Sequence, residues 1–265
     1  MRVLVFLTDF GTRDPYASLM RAAARRIKPD IVIEDLTHGI PRFCITCGAY
    51  VLYTSYEWFP EDSIYVSVVD PGVGSSRRGI LVKVKERYFI GPDNGILWPV
   101  IEENLEDSEA FALDEEKVSP WEVSSTFHGR DVFAPAAARI ARGEDPSSFA
   151  YRIELGSLRT LSLTYSRDIE GGKCFKVIYI DSFGDVVLSS RGEEAEKVLS
   201  MKKAKVFLEG REIGEAEATR TFSLVSRGEI ALYVNSSGFL ELSVNMGDFA
   251  EKFGVEIGDE ICLKQ

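Results

Sequence analysis

The pattern of apolar and polar positions changes character part-way along the chain. In the first half, short apolar runs alternate with segments of helical period. Arg2–Leu7 is an apolar run that predicts a strand, and it ends in the loop Thr8-Asp9-Phe10-Gly11-Thr12. Tyr16, Leu19, Met20, Ala23, Ala24 and Ile27 then recur on one helical face. Ile31–Ile33 predicts a strand. Cys44–Trp58 is apolar nearly all round, as expected of a helix packed on both sides. Ser63–Val69 predicts a strand running into a loop at Asp70, and Gly79–Val84 with Tyr88–Ile90 predicts a hairpin. Gly95–Glu103 predicts a helix, with Asp93 or Asn94 a plausible cap. Asp131 can cap a helix that runs to Arg142 and ends at Gly143. Alternation of this kind predicts an α/β domain with a parallel-rich sheet covered by helices, its ligand loops at strand ends.

From about residue 150 the periodicity weakens, and Gly171-Gly172 closes the stretch. Short alternating strands follow at Cys174–Ile180, Val186–Ser189, Ala204–Leu208, Ile230–Val234, Phe239–Val244 and Glu260–Leu263. Their regular spacing with glycine turns predicts a small all-β barrel-like or sandwich domain. The expected division is an N-terminal α/β domain over 1–155, a linker over 156–171 and a C-terminal β-barrel-like domain over 172–265.

Composition narrows the function. The chain has 265 residues, 45% of them hydrophobic, which is enough to bury a substantial core. A net charge of -11 argues against nucleic acid, because no basic stripe can neutralise phosphates. No apolar run is long enough to cross a bilayer, which takes about 20 residues. The first apolar run is too short for a signal peptide, so a cytoplasmic protein is expected. Cys44-x-x-Cys47 admits half a zinc site or a redox pair. The other cysteines, Cys174 and Cys262, form no second pair with ligand spacing, so Cys44 and Cys47 are expected to be small core residues of a buried helix.

Candidate chemistry lies in the loops. The chain has two histidines. His128 stands in Ser125-Thr126-Phe127-His128-Gly129-Arg130-Asp131, and histidine is the side chain best suited to proton handling near neutral pH. Val69-Asp70-Pro71-Gly72-Val73-Gly74-Ser75-Ser76-Arg77 supplies an acid and an arginine, with Arg78 adjacent. The glycine run lacks the Gly-Lys-Ser/Thr ending of a triphosphate loop. It reads as a Pro-Gly turn or as a functional carboxylate with its own cation. Asp9, with Asp14 nearby, could hold ribose hydroxyls or an ammonium group, or could cap the helix that follows. Asp181-Ser182-Phe183-Gly184-Asp185 reads as a hairpin turn or a site. His38 is a weak candidate that could be a satisfied loop histidine. A metal hydrolase needs a dense cluster of histidines and acids, and this chain has none in its sequence.

Leu7-Thr8-Asp9-Phe10-Gly11, Asp35-Leu36-Thr37-His38, Val69-Asp70-Pro71-Gly72-Val73-Gly74, Gly91-Pro92-Asp93-Asn94-Gly95, the His128 run and Asn235-Ser236-Ser237-Gly238 occur in one order. Together they resemble the S-adenosylmethionine hydroxide adenosyltransferases, which are adenosine-forming SAM hydrolases related to fluorinase and chlorinase. The resemblance covers nearly the whole chain. It implies hydrolysis of S-adenosyl-L-methionine (SAM) to adenosine and L-methionine, without metal or cofactor. It also implies a homotrimer whose sites lie at subunit interfaces. Asp70, Arg77 and His128 match the Asp-Arg-His set that activates water in the hydrolases and that the halogenases lack, with His128 the expected proton acceptor. Asp9 matches the ribose-binding acid. Asp14 and Asp181 match groups near the methionine ammonium. Phe43, Phe127, Phe183 and Phe222 match aromatic positions around the nucleoside. Ser236 matches a contact to the methionine carboxylate, and Met246 a backbone contact to adenine. Asp185 replaces the usual asparagine at the adenine edge, and Ser237 replaces an arginine of the fluorinase. Gly129 stands where the fluorinase has a halide-binding serine. The rivals are a SAM-dependent halogenase and a non-catalytic adenosine- or SAM-binding protein.

Overall fold

The computed structural model describes residues 2–265. Contacts divide it into one unit ending at Leu161 and another spanning Ser162–Gln265.

In the first unit the elements follow as β1 (Val3–Thr8), α1 (Tyr16–Ile27), β2 (Val32–Thr37), α2 (Ile45–Ser55), β3 (Ile64–Val68), β4 (Gly79–Val84) and β5 (Arg87–Pro92). α3 (Trp98–Glu102), β6 (Ser108–Leu113), α4 (Glu115–Val118), α5 (Ala134–Ala141) and β7 (Ala150–Ile153) complete it. The strands form one sheet in the order β2-β1-β3-β5-β4-β6-β7. β4 and β7 run against the other five, so the sheet is mostly parallel, as expected.

β1 lies between β2 and β3, and Leu4 to Leu7 are all buried. Successive strand residues face opposite sides. Leu4 and Phe6 join Met20 of α1 and Ala136 to Ala138 of α5 in one core cluster. α2 packs over β1 and β3. Its low amphipathicity in sequence reflects burial of Cys47 to Tyr50 together with Leu52.

The second unit contains β8 (Ser166–Ile169), β9 (Gly172–Ile180), β10 (Val186–Arg191), α6 (Gly192–Leu199), β11 (Lys203–Leu208) and β12 (Arg211–Ala218). β13 (Ile230–Val234), β14 (Phe239–Val244), α7 (Phe249–Phe253) and β15 (Glu260–Lys264) follow. The order β10-β14-β13-β12-β11-β15-β9 closes on itself because β9 also pairs with β10, and β8 adds to the outside of β9. The result is a closed barrel, the architecture expected for the C-terminal half. Closure leaves these strands no free edge. α6 buries Ala195 and Val198 against this core.

Several expectations need correction. β6, β7, β8 and β12 were not legible. β12 reads Arg-Glu-Ile-Gly-Glu-Ala-Glu-Ala, mostly exposed, and becomes a strand because β11 and β13 pair with it. Pairing here overrides local preference. α3 starts at Trp98 with Leu97 at its cap position, so neither Asp93 nor Asn94 caps it. The four cysteines are buried or half-buried but are not free thiols. Cys44 and Cys47 are bonded across the first turn of α2, and Cys174 and Cys262 face each other across the β9–β15 register. Cys174, Glu260 and Cys262 form the one group of potential metal donors among the described residues, and its two sulfurs are already bonded to each other. Among the described residues no helix is long and apolar enough to cross a membrane.

Phe6 is fully buried at the centre of the sheet. Phe6→Ala is expected to cost about 3–5 kcal/mol in equilibrium denaturation. A loss near zero would remove β1 from the centre of the core.

Candidate active site

β1 and β3 are parallel neighbours, with Thr8 opposite Val68. The Asp9 loop and the Asp70 loop therefore leave the sheet at the same end, where open α/β sheets hold ligands. Between them lies a cavity of ≈ 540 Å³ lined by Asp9, Asp14, Phe43, Asp70, Phe127 and His128, among others. Phe10, Tyr16 and Phe127 pack edge-on or tilted, with ring centroids 5.2–5.8 Å apart.

Asp70 and His128 line the cavity, and Arg77 joins them from behind. Arg77 Nε donates to Asp70 Oδ1 at 3.1 Å and Oδ2 at 3.0 Å, and Nη2 donates to Oδ2 at 2.5 Å. Nη2 also lies 2.9 Å from His128 Nδ1. An arginine has no acceptor, so Nδ1 accepts and the neutral ring carries its proton on Nε2. Arg77 does not line the cavity; it stands behind Asp70 and His128, with its guanidinium 5.3 Å from the Phe133 ring centroid. Burial pushes His128 below its ordinary value of 6.5. Glu115 pulls it upward and Arg77 pushes it further down, so the ring is neutral near pH 7.

The neighbouring arginine turns the other way. Arg78 binds Asp93 through Nε at 3.0 Å and Nη2 at 2.5 Å, and its Nη2 also donates to the Ser157 carbonyl at 2.6 Å. Successive side chains on an extended segment alternate, and this separates the two roles. Asp93 also accepts from the Arg159 amide, which explains its burial.

The turn that follows His128 is anchored by Asp131. The sequence predicted Asp131 as a helix cap, and the structure corrects this. Gly129–Phe133 is a π turn leading into α5, and Asp131 lies inside it, fully buried. Its carboxylate accepts from Trp121 Nε1 at 2.8 Å, the Ser124 amide at 3.0 Å and Arg130 at 2.7 Å. Wide turns of this kind recur at functional sites. Burial opposes ionisation of Asp131, but these donors outweigh it and hold the carboxyl below its ordinary value. Gly143 does end the helix, in the left-handed conformation at φ 86°.

Two glycines fit the loops together. Gly74 has φ 75°, and a Cβ there would collide with the Ser125 carbonyl, so the Asp70 and His128 loops pack backbone to backbone. A Cβ at Gly129 would lie 3.1 Å from Met20 Sδ and 3.4 Å from the Phe10 and Phe127 rings.

Asp9 caps nothing, since Pro15 occupies the cap position of α1. Its Oδ2 accepts from the Phe43 amide at 2.9 Å, and burial is the main cause that raises its carboxyl. Phe43 has φ 65° and is 67% exposed, so its ring is free to meet a ligand. His38 is the satisfied loop histidine, with Nδ1 2.8 Å from Thr8 Oγ1 and Nε2 3.1 Å from Asp35. Sequence reasoning missed Arg42, in a loop, and Glu115, in the four-residue helix α4, neither of which carries a periodic signal. Tyr16 was read only as part of an apolar face, although it lines the cavity.

The remaining candidates lie in the second unit. Asp181 Oδ1 accepts from the Phe183 and Asp185 amides, both at 2.9 Å, and thus shapes the β9–β10 turn. Phe183 and Met246 are 74% and 76% exposed. Phe222 rests against Tyr233. Ser236 lies in the β13–β14 turn, beside Asn235, whose Nδ2 donates to Glu241 Oε2 at 2.7 Å. Burial, then Asp181 and Glu241, push the Asp185 carboxyl up to about 7.

Comparison with known proteins now decides the family. The SAM hydroxide adenosyltransferase N-terminal domain matches residues 4–150, and the C-terminal domain of the same family matches residues 175–262. The chain belongs to the SAM hydroxide adenosyltransferase family. It is similar to an (R)-S-adenosyl-L-methionine hydrolase of Thermus thermophilus, 33% identical over 99% of this chain and 100% of that one. A fluorinase of Actinoplanes is 23% identical over 97% of this chain and 95% of its own. Among solved structures, an uncharacterized conserved protein from Thermotoga maritima matches with TM-score 0.88 and 33% identity, covering 99% of this chain and 100% of that one.

In this family member buried Asp131 and half-buried Asp185 set opposite pH limits. Asp131 has a lowered value, so its stabilisation is present above 3.8 and is lost as pH falls through the lowered value. Asp131→Ala is expected to cost about 1–3 kcal/mol at pH 7, with the deficit shrinking in strong acid. Asp185 has a raised value, so its contribution is full below 3.8 and lost as pH rises through about 7. Asp185→Asn should therefore raise the melting temperature more at pH 8 than at pH 5. Parallel pH curves for variant and wild type would contradict either assignment.

Proposed function

We propose that this protein hydrolyses S-adenosyl-L-methionine to adenosine and L-methionine, by in-line attack of water on ribose C5′. The observation that carries the reading is the Asp70–Arg77–His128 set, whose Asp70 and His128 line a cavity shared with Phe43 and Phe127. The substrate's leaving group is a neutral thioether, which departs without a proton or a Lewis acid. The difficulty lies with the nucleophile. Water must be held in line with C5′ and made hydroxide-like.

Asp70 and His128 both reach the cavity and can flank one water, while Arg77 locks them into a single geometry. Fixing a reactant pair in this way can supply several kcal/mol, and general-base help about 10²–10⁴-fold. Asp9 takes the ribose hydroxyls in this reading, and Asp14 the methionine ammonium. Phe43 and Phe127 sandwich the nucleoside.

Asp181, Phe183, Asp185, Phe222, Ser236 and Met246 are assigned to substrate as well, contributed by the C-terminal unit of a second copy in a homotrimer. The exposure of Phe183 and Met246 supports this reading. Asp185 takes the place of an asparagine at the adenine edge. An ionised carboxylate only accepts hydrogen bonds, but a protonated one also donates. With its value near 7, Asp185 is neutral often enough to serve as a donor, and affinity falls as pH rises past that point. The reading is of a cytoplasmic enzyme.

The test is incubation of purified protein with SAM, with and without chloride, and identification of the nucleoside. Adenosine in both is the expected outcome. 5′-Chloroadenosine would assign a halogenase instead, and unchanged SAM would leave a binding protein. His128→Ala should lower kcat by about 10²–10⁴-fold with little change in SAM affinity. An equal loss of both would place His128 in binding.

A further inference from the structure

Glu115 is the nearest acid to His128 that the proposed reaction does not use. It opens α4, directly after the cap residue Asp114, and its side chain is 39% exposed. Its Oε1 lies 3.5 Å from His128 Nδ1, the same nitrogen that Arg77 Nη2 approaches at 2.9 Å. Glu115 does not line the cavity.

One ring nitrogen thus has two competing neighbours of opposite character. Arg77 can only donate, and while it does so Nδ1 is bare and Nε2 holds the proton. A ring in that form donates to a water in the cavity but cannot take a proton from it. Glu115 can only accept while ionised. If Nδ1 carries the proton and gives it to Glu115, Nε2 is left with a free lone pair. The side chain of Glu115 has the freedom of a half-exposed group to close the gap.

We propose that Glu115 is a positioning residue that selects the proton-accepting tautomer of His128 and carries the released proton toward solvent. The inference rests on the proposed hydrolysis only for its kinetic part. In the step, a water O–H bond breaks as oxygen bonds C5′, and the C5′–S electron pair leaves on the methionine sulfur. The proton goes to Nε2, and the proton on Nδ1 passes to Glu115 and then to water. Arg77 next donates to the vacated Nδ1, which is the arrangement in the structure. The charged groups facing the ring are Asp70 and Arg77 from the loop after β3, Glu115 from α4 and Asp131 from the π turn. Of these, Glu115 exerts the largest pull toward the protonated ring.

Two histidines make the tautomer directly measurable. In ¹⁵N-histidine NMR, the His128 ring is identified by its loss in His128→Ala. Wild-type protein should show a mixed Nδ1–H and Nε2–H population near pH 7, and Glu115→Ala the Nε2–H form alone, with Glu115→Asp intermediate. Equal tautomer populations in wild type and Glu115→Ala would overturn the proposal, whether or not the protein turns over SAM. With SAM, Glu115→Ala should lower kcat about 10- to 100-fold at nearly constant KM. It should also move the rising limb of the kcat profile to lower pH, and Glu115→Asp should restore part of both. Unchanged kcat and profile in a variant that still forms adenosine would equally overturn it. Glu115→Gln, which keeps the side chain's length, serves as the second variant if alanine impairs folding.

Discussion

The guanidinium of Arg77 is the interaction on which the rest of the site depends. Two side chains with their own chemistry, Asp70 and His128, come from loops that are distant in sequence. Each is buried, and neither could be left there unpaired without a large desolvation cost. Arg77 satisfies both at once through a planar fork that matches a carboxylate on one edge. Because it can only donate, Nδ1 of His128 is bare while Arg77 is bonded to it. One residue that does not line the cavity therefore fixes the geometry of two that do.

That arrangement needs a rigid frame beneath it. The parallel pairing of β1 and β3 brings the Asp9 and Asp70 loops to one end of the sheet. The buried Asp131 gathers Trp121, Ser124 and Arg130, and so fixes the π turn that presents His128. The contact of Gly74 with Ser125 then brings the two loops together without a side chain between them. Together these constraints leave the triad little freedom. Electrostatic preorganisation of this kind is effective because it requires no rearrangement at the moment of reaction.

The α/β half was legible because its central strands are buried on both faces and read as continuous apolar runs. β13 and β14 were read to the residue, since both are short apolar-rich runs bounded by glycine turns. Legibility failed at the sheet edges and along β12, where burial on one face or none leaves a weak pattern. It failed for Cys174 and Cys262 because their pairing depends on β9 and β15 becoming neighbours, whereas Cys44 and Cys47 took the paired alternative that their spacing admits. Asp131 was misread for a similar reason. Its acid type and position suit a cap, and only the fold shows that Trp121 and Ser124 reach it. The identities of Asp70, Arg77 and His128 were visible through family resemblance, and their convergence was not.

The sequence alone determined the two-part architecture, the family and the residue types available for chemistry, because hydrophobic period and motif order are local properties of the chain. Tertiary structure decided which of two adjacent arginines joins the site and which nitrogen of His128 is free. It also brought Glu115 beside that ring and made Asp131 a buried anchor. These are distances between residues far apart in sequence, and a distance of a few ångströms separates a hydrogen bond from none.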